Sequence, residues 1–239
     1  MPSKRSRATV PFPGGAALLQ RVYTRLGCAG RPPQFVAEYY PYASLVQTIR
    51  LRDDVAYVRF SDVLRRAPLP VLEAAAGILL AKVYRRRLPP GLALAYNRYS
   101  LEHATRRRVR QVRRRRARRA VHGPLGRAHN LGPLFDALNA RYFRGALPRP
   151  QIGWSARPWR HQLGLFDPGL NQIVLSGGLD SPRVPRYAVE YVLYHEMLHV
   201  KHPLRLARCG LQAHSPEFRA EEKLYEHYRA ARRYLNRKS

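Results

Sequence analysis

Followed as apolar and polar positions, the chain changes its period several times. The first 33 residues carry Pro2, Pro11, Pro13, the pair Gly14 and Gly15, Gly27, Gly30, Pro32 and Pro33. So many breakers without a sustained period predict a loose N-terminal arm over 1–33. From Val46 the pattern becomes β-rich: VQTIRL at 46–51 and VAYVRF at 55–60 flank Arg52, Asp53 and Asp54, as in a hairpin. Pro70 then stands at a helix start, and Leu72, Ala75, Ala76, Leu79 and Val83 recur at helical spacing before Pro89 and Pro90. A second long helix is expected between Leu92 and Val121.

After the break at His122, Gly123 and Pro124, a helical stripe of Leu131, Leu134, Phe135, Leu138 and Tyr142 ends at Gly145 and Pro148. Three short strands are expected at 151–156, 162–167 and 172–176. The last two flank the turn-forming run Pro168, Gly169, Leu170, Asn171 and predict an antiparallel hairpin. The following run RYAVEYVLYHEMLHVKHP is apolar nearly all the way round, which predicts a helix at a domain centre. Ser215 and Pro216 read as N-cap and first residue of a closing helix. The fold class is α+β, organised as the arm at 1–33, an accessory region at 34–121 with a β-hairpin and helices, and a compact domain at 122–239.

Charge changes the picture. The 44 Lys and Arg against 15 Asp and Glu leave a formal net charge of +29, which excludes an ordinary neutral enzyme. Hydrophobic residues at 45% and aromatics at 10% equally exclude a wholly disordered polycation. A cationic excess of this size attracts phosphate polymers through counterion release, so DNA or RNA is the expected partner. The densest run holds Arg106, Arg107, Arg108, Arg110, Arg113, Arg114, Arg115, Arg116, Arg118 and Arg119 with no acid among them. These ten are the candidate nucleic-acid contacts, because such a run repels itself unless an anion lies alongside. The most apolar stretch, Val71 to Val83, contains Glu73 and is too short to span a bilayer. No signal-type apolar segment follows the N-terminal basic residues, so a cytoplasmic, reducing location with nucleoid association and no membrane partner is expected.

Cys28 and Cys209 are too few for a disulfide framework or a cysteine-only zinc site, so any metal falls to His, Asp or Glu. His195 and His199 lie four apart in the buried run, hence on one helical face, with Glu196 beside them. This is HExxH, the arrangement in which two imidazoles hold one zinc ion and the glutamate serves as general base and acid for peptide hydrolysis. A third ligand is required, and three residues compete: His202, which precedes Pro203; His214, just ahead of the closing helix; and Glu221, within it. Tyr191, Tyr225 and His202 are candidates to stabilise the oxyanion, and spacing does not choose among them.

Over 131–235 the chain resembles the SprT-like metallopeptidase domain. The resemblance rests on LFDALNARYFRGALP, Trp154, Gly164, NQIVLS, YHEMLH and HSPEF, in that order. It implies a small zincin-like α+β domain, with helices on a short, mostly antiparallel sheet and the HExxH helix central, and one zinc ion per chain. Because HSPEF is similar to the family's His-Gly-Pro-x-Phe, it favours His214 as third ligand beside His195 and His199. For eukaryotic members the family activity is proteolysis of proteins crosslinked to DNA. Some bacterial members carry a cysteine zinc ribbon, which the two cysteines of this chain are too few to build, so the nucleic-acid role is expected of the N-terminal half. The expected function is a zinc-dependent metalloendopeptidase acting on nucleic-acid-bound proteins. The alternative is a non-catalytic nucleic-acid- or ribosome-binding protein with a structural zinc site.

Overall fold

The breakers that crowd the first 33 residues bound a helix instead of preventing one. In the computed structural model, which describes residues 8–116, 121–207 and 210–237, β1 (Val10–Pro11) leads into α1 (Gly15–Arg25). Gly14 (φ 73°) and Gly27 (φ 61°) flank α1 in the left-handed conformation that a Cβ disfavours. Between them Leu18, Leu19, Val22 and Tyr23 share one helical face and are buried. The expectation of a loose arm is therefore corrected for the described part of 1–33: the glycines punctuate the helix, and its apolar face belongs to a core.

The chain divides into two units, Met1–Ala117 with Leu206–Leu211, and Arg118–Arg205 with Gln212–Ser239. In the first, β2 (Gln34–Tyr40), β3 (Gln47–Arg52) and β4 (Val55–Ser61) follow α1, and the sheet order is β1-β2-β4-β3. The predicted hairpin is β3 and β4, paired antiparallel from Gln47 opposite Phe60 to Arg52 opposite Val55. Strand β2, which no sequence signal disclosed, runs parallel to β4. Alternation puts Phe35, Tyr39, Ala56, Val58 and Phe60 on one face, where they form a core with Leu18, Leu19 and Val22 of α1 and Leu72, Ala75, Ala76 and Leu80 of α2 (Leu69–Val83). The single long helix expected from Leu92 to Val121 is corrected to two, α3 (Pro90–Leu101) and α4 (His103–Arg116). Glu102 separates them with an extended backbone, φ −55° and ψ 137°.

In the second unit β5 (Val121–His122), α5 (Leu131–Phe143), β6 (Gln151–Ser155), β7 (Gly164–Asp167) and β8 (Gln172–Leu175) build a sheet of order β5-β6-β8-β7. Two of its three pairings are antiparallel and β6 with β8 is parallel. The turn between β7 and β8 is held by the Asp167 carboxylate, which accepts from the backbone N–H of Gly169 and Leu170. Helix α6 (Arg186–Lys201) packs against α5, β7 and β8, and also against α7 (Pro216–Glu222) and α8 (Tyr228–Asn236). Nine of its sixteen residues are buried, which is why its sequence is apolar on nearly every side. Between α6 and α7, β9 (Arg205–Ala207) pairs with β10 (Gly210–Gln212).

The two units share one topology. Each runs strand, helix, strand, strand, strand, and the sheets β1-β2-β4-β3 and β5-β6-β8-β7 pair in the same senses: antiparallel, parallel, antiparallel. In each, a serine at the end of the fourth strand or just after it caps a short 3-10 turn by accepting from the N–H two residues on, Ser61 from Val63 and Ser176 from Gly178. In each, a proline, Pro68 or Pro185, then immediately precedes the long helix. Counting from those prolines, the α2 residues at the places of His195, Glu196 and His199 are Ile78, Leu79 and Lys82.

Candidate metal centre

Helix α6 sets His195 and His199 one turn apart, and the start of α7 brings the third imidazole to them. The Ser215 side chain accepts from the Phe218 N–H, and Pro216 opens the helix, so the residue just before the cap, His214, has its backbone fixed. The His214 Nε2 lies 3.3 Å from His195 Nε2 and 3.2 Å from His199 Nε2. Ligand atoms at 2.0–2.1 Å from a tetrahedral centre stand about 3.3 Å from one another. The two distances from His214 therefore match an edge of a zinc-sized tetrahedron, and the ligand atoms of all three imidazoles lie within 4.8 Å of one another, close enough to hold a metal ion.

Neighbours fix each ring. The fully buried Phe218 ring packs against all three imidazoles, with centroid separations of 5.2, 4.8 and 4.8 Å to His195, His199 and His214. His195 Nδ1–H donates to Glu222 Oε1 at 2.7 Å, which leaves Nε2 as the free lone pair. Tyr191 O–H donates to the same oxygen at 2.8 Å. Burial opposes the charge of Glu222, but these two donors outweigh it and hold the carboxyl below its ordinary range. Burial and the neighbouring His195 and His214 push His199 down to about 4, and burial with His195 lowers His214. Both imidazoles are thus kept neutral, the form that ligates metals.

Glu196 lies on the sheet side of α6, only 5% exposed. A Cβ at residue 164 would stand 2.5 Å from its Oε1, so only glycine lets β7 run this close. Burial raises the Glu196 carboxyl to about 7, opposed by the charge of His195 and a hydrogen bond from the Phe166 backbone. A group so placed both accepts and releases a proton near neutrality.

Of the competing third ligands, the structure brings only His214 to the pair. Glu221 accepts from Lys201 Nζ at 2.7 Å, and its other carboxylate oxygen lies 3.2 Å from His202 Nε2. Two of the oxyanion candidates are committed within the core: Tyr191 to Glu222, and Tyr225 O–H to the Tyr187 carbonyl and Glu190. Sequence reasoning missed Glu222, although its spacing from Phe218, one helical turn on α7, placed it on the same face.

The eight arginines of the run between 106 and 116 lie in the first unit and differ in what they touch. Arg116 makes a two-pronged ion pair with Asp62 at 2.7 and 2.8 Å and donates to the Tyr42 carbonyl, while Arg108 reaches the Val63 carbonyl at 3.5 Å. These two tie α4 to its own unit, as does buried Thr105. Arg113 is half-buried, whereas Arg106, Arg107, Arg110, Arg114 and Arg115 are exposed. Arg118 and Arg119 lie outside the described residues.

No protein-family model, curated protein or solved structure matches this chain. No helix among the described residues is long and apolar enough to cross a membrane.

Proposed function

We propose that the chain is a zinc-dependent metalloendopeptidase of SprT-like type, with a zincin-like second unit and proteins bound to nucleic acid as its substrates. The observation that carries this reading is the convergence of three imidazoles, with His214 Nε2 at 3.3 and 3.2 Å from His195 and His199 Nε2, the edge length of a zinc tetrahedron, and with Glu196 one residue from a ligand. Zinc bound by three imidazoles supplies Lewis acidity and an open position where the pKa of water falls to about 7. Glu222 and Phe218 orient the imidazoles. Glu196 accepts the proton of the attacking water on its carboxylate and passes it to the departing amine nitrogen. The Phe166 N–H and the close approach of Gly164 hold that carboxylate in one place while it does so. The first unit supplies attraction to nucleic acid, since it carries 25 Lys and Arg against 6 Asp and Glu, a net +19, and the second 19 against 9, a net +10.

The test is metal content and cleavage measured together. Zinc-loaded protein is expected to retain about one ion per chain and to cleave a basic DNA-binding protein. His195→Ala, His199→Ala and His214→Ala should each lose the ion. Retention of zinc by His214→Ala with loss by Glu221→Ala would overturn the ligand set. Full zinc occupancy with no cleavage of any protein, with or without nucleic acid, would leave the site structural.

A further inference from the structure

The sheet of the first unit has two faces of opposite character. One is covered by α1 and α2 and holds the core. The other presents Val36, Glu38 and Tyr40 of β2, Val55, Tyr57 and Arg59 of β4, and Thr48, Arg50 and Arg52 of β3. On this face Tyr57 is 45% exposed and Val36 39% exposed, an unusual display for a large aromatic on a strand of an otherwise well-packed sheet. Arg50 stands directly opposite Tyr57 across the β3–β4 ladder, and Arg52 opposite Val55. Two residues along β4, Arg59 lies over the Tyr40 ring at 5.1 Å from its centroid, and Tyr40 in turn packs on Tyr42 at 4.6 Å. The one acid on the face, Glu38, is paired with Arg59. A row of flat side chains thus runs from Tyr57 past Arg59 to Tyr40, which stands opposite Ser61, four residues or about 13 Å along the strands at about 3.3 Å each, with Tyr42 beyond it. Cations line one side of it.

The same framework in the second unit is where the metal site lies, but in the first the corresponding helix positions are Ile78, Leu79 and Lys82, which provide no imidazole pair and no carboxylate. What sets the first unit apart is its open aromatic and basic sheet face. We infer that this face binds single-stranded nucleic acid, with a base stacked on Tyr57 and the adjoining phosphates on Arg50 and Arg52; this rests on the proposal that the chain acts at nucleic acid. Charge complementarity selects a polyanion as the occupant. The exposed ring and the guanidinium plane beside it select unstacked bases, because bases in a duplex are stacked on each other and offer no face to a flat sheet. The exposed arginines of α4, Arg107, Arg110 and Arg114, lie on one outward stripe at helical spacing and serve phosphates without regard to strandedness.

The experiment measures binding of the full chain to an oligothymidylate, an oligouridylate and a duplex of the same length, across a salt series. Tyr57→Ala is expected to weaken both single strands at least about fivefold, the loss of one stacked base, and to leave duplex affinity within about twofold. Tyr57→Phe, which keeps the ring, should restore single-strand binding, showing that loss in the alanine variant is not misfolding. The triple Arg107→Gln, Arg110→Gln, Arg114→Gln should weaken single strands and duplex alike and flatten the salt dependence of both. If Tyr57→Ala has no effect, or reduces single-strand and duplex binding equally, the platform is overturned while the nucleic-acid reading stands. If the unaltered chain binds none of the three, both fail together. Loss on oligothymidylate alone or oligouridylate alone supports the platform and identifies its ligand as DNA or RNA.

Discussion

The two units are built on one plan and carry different side chains on it. Both have a mixed four-stranded sheet, a serine-capped 3-10 turn and a long helix introduced by proline. In the second unit that helix carries His195, Glu196 and His199 against a strand that comes close enough to require Gly164. In the first, Ile78, Leu79 and Lys82 stand at those places, and the net charge nearly doubles, from +10 to +19. The comparison teaches that the framework by itself does not bring the histidines together. Three side chains on one helix and a third imidazole at the next helix start separate a candidate metal centre from a scaffold.

The sharpest way to break this comparison is to silence the chemistry of the second unit and leave the first untouched. Glu196→Gln should lower turnover by about 10²- to 10⁴-fold, the range typical of a general acid-base residue, with zinc content and nucleic-acid affinity unchanged. Metal analysis and binding alongside the cleavage assay check it. A smaller effect is expected from the residue behind the ligand. Glu222→Gln should reduce zinc affinity about 10- to 100-fold in competition with a chelator, since His195 loses the partner that fixes its tautomer.

In the first unit, the arginines should separate by what they touch. Arg116→Gln breaks the pair with Asp62, in which both side chains are about three-quarters buried, and should cost about 1–2 kcal/mol in urea unfolding. Arg107→Gln, on the exposed stripe, should change stability by less than about 0.5 kcal/mol yet reduce the salt slope of duplex binding by about 0.9 for the phosphate it neutralises. Equal stability losses would remove the distinction between tethering and binding arginines. A further effect is one of pH in the second unit. Asp180 accepts from the backbone N–H groups of Arg127, Ala128 and His129 at 2.6, 2.9 and 3.1 Å. Burial works to raise its carboxyl, but the three donors outweigh it and hold it below the ordinary 3.8. Its contribution is therefore fully present above about pH 4 and lost as pH falls through the lowered folded value. Asp180→Asn should cost about 1 kcal/mol at neutral pH, since the carboxylate is partly open to solvent, and the difference from wild type should shrink in acid.

Much of the second unit was legible because its signals are local. The stripe from Leu131 to Tyr142, the three short strands, the Ser215 cap and the HExxH spacing each lie within one element, and each is found where the pattern put it. The first unit was less legible. Helix α1 was hidden by the glycines and prolines around it, and the break at Glu102 has neither a glycine nor a proline to mark it. Among the arginines, nothing in the run distinguishes Arg116 from Arg114, because the difference is Asp62, 54 residues away.

The sequence by itself determined the period of most helices and strands, the cationic character, the pair His195 and His199, and the glutamate between them, because spacing along one helix is fixed by its pitch. Only the tertiary structure decided that His214 and not Glu221 or His202 completes the imidazole cluster, that Glu222 orients His195, and that the two halves repeat one strand order. Those facts depend on elements distant in the chain meeting in space. Pairing of β2 with β4 and of β6 with β8 is parallel and joins strands with another strand between them, and parallel neighbours leave no turn signature at the point where they meet.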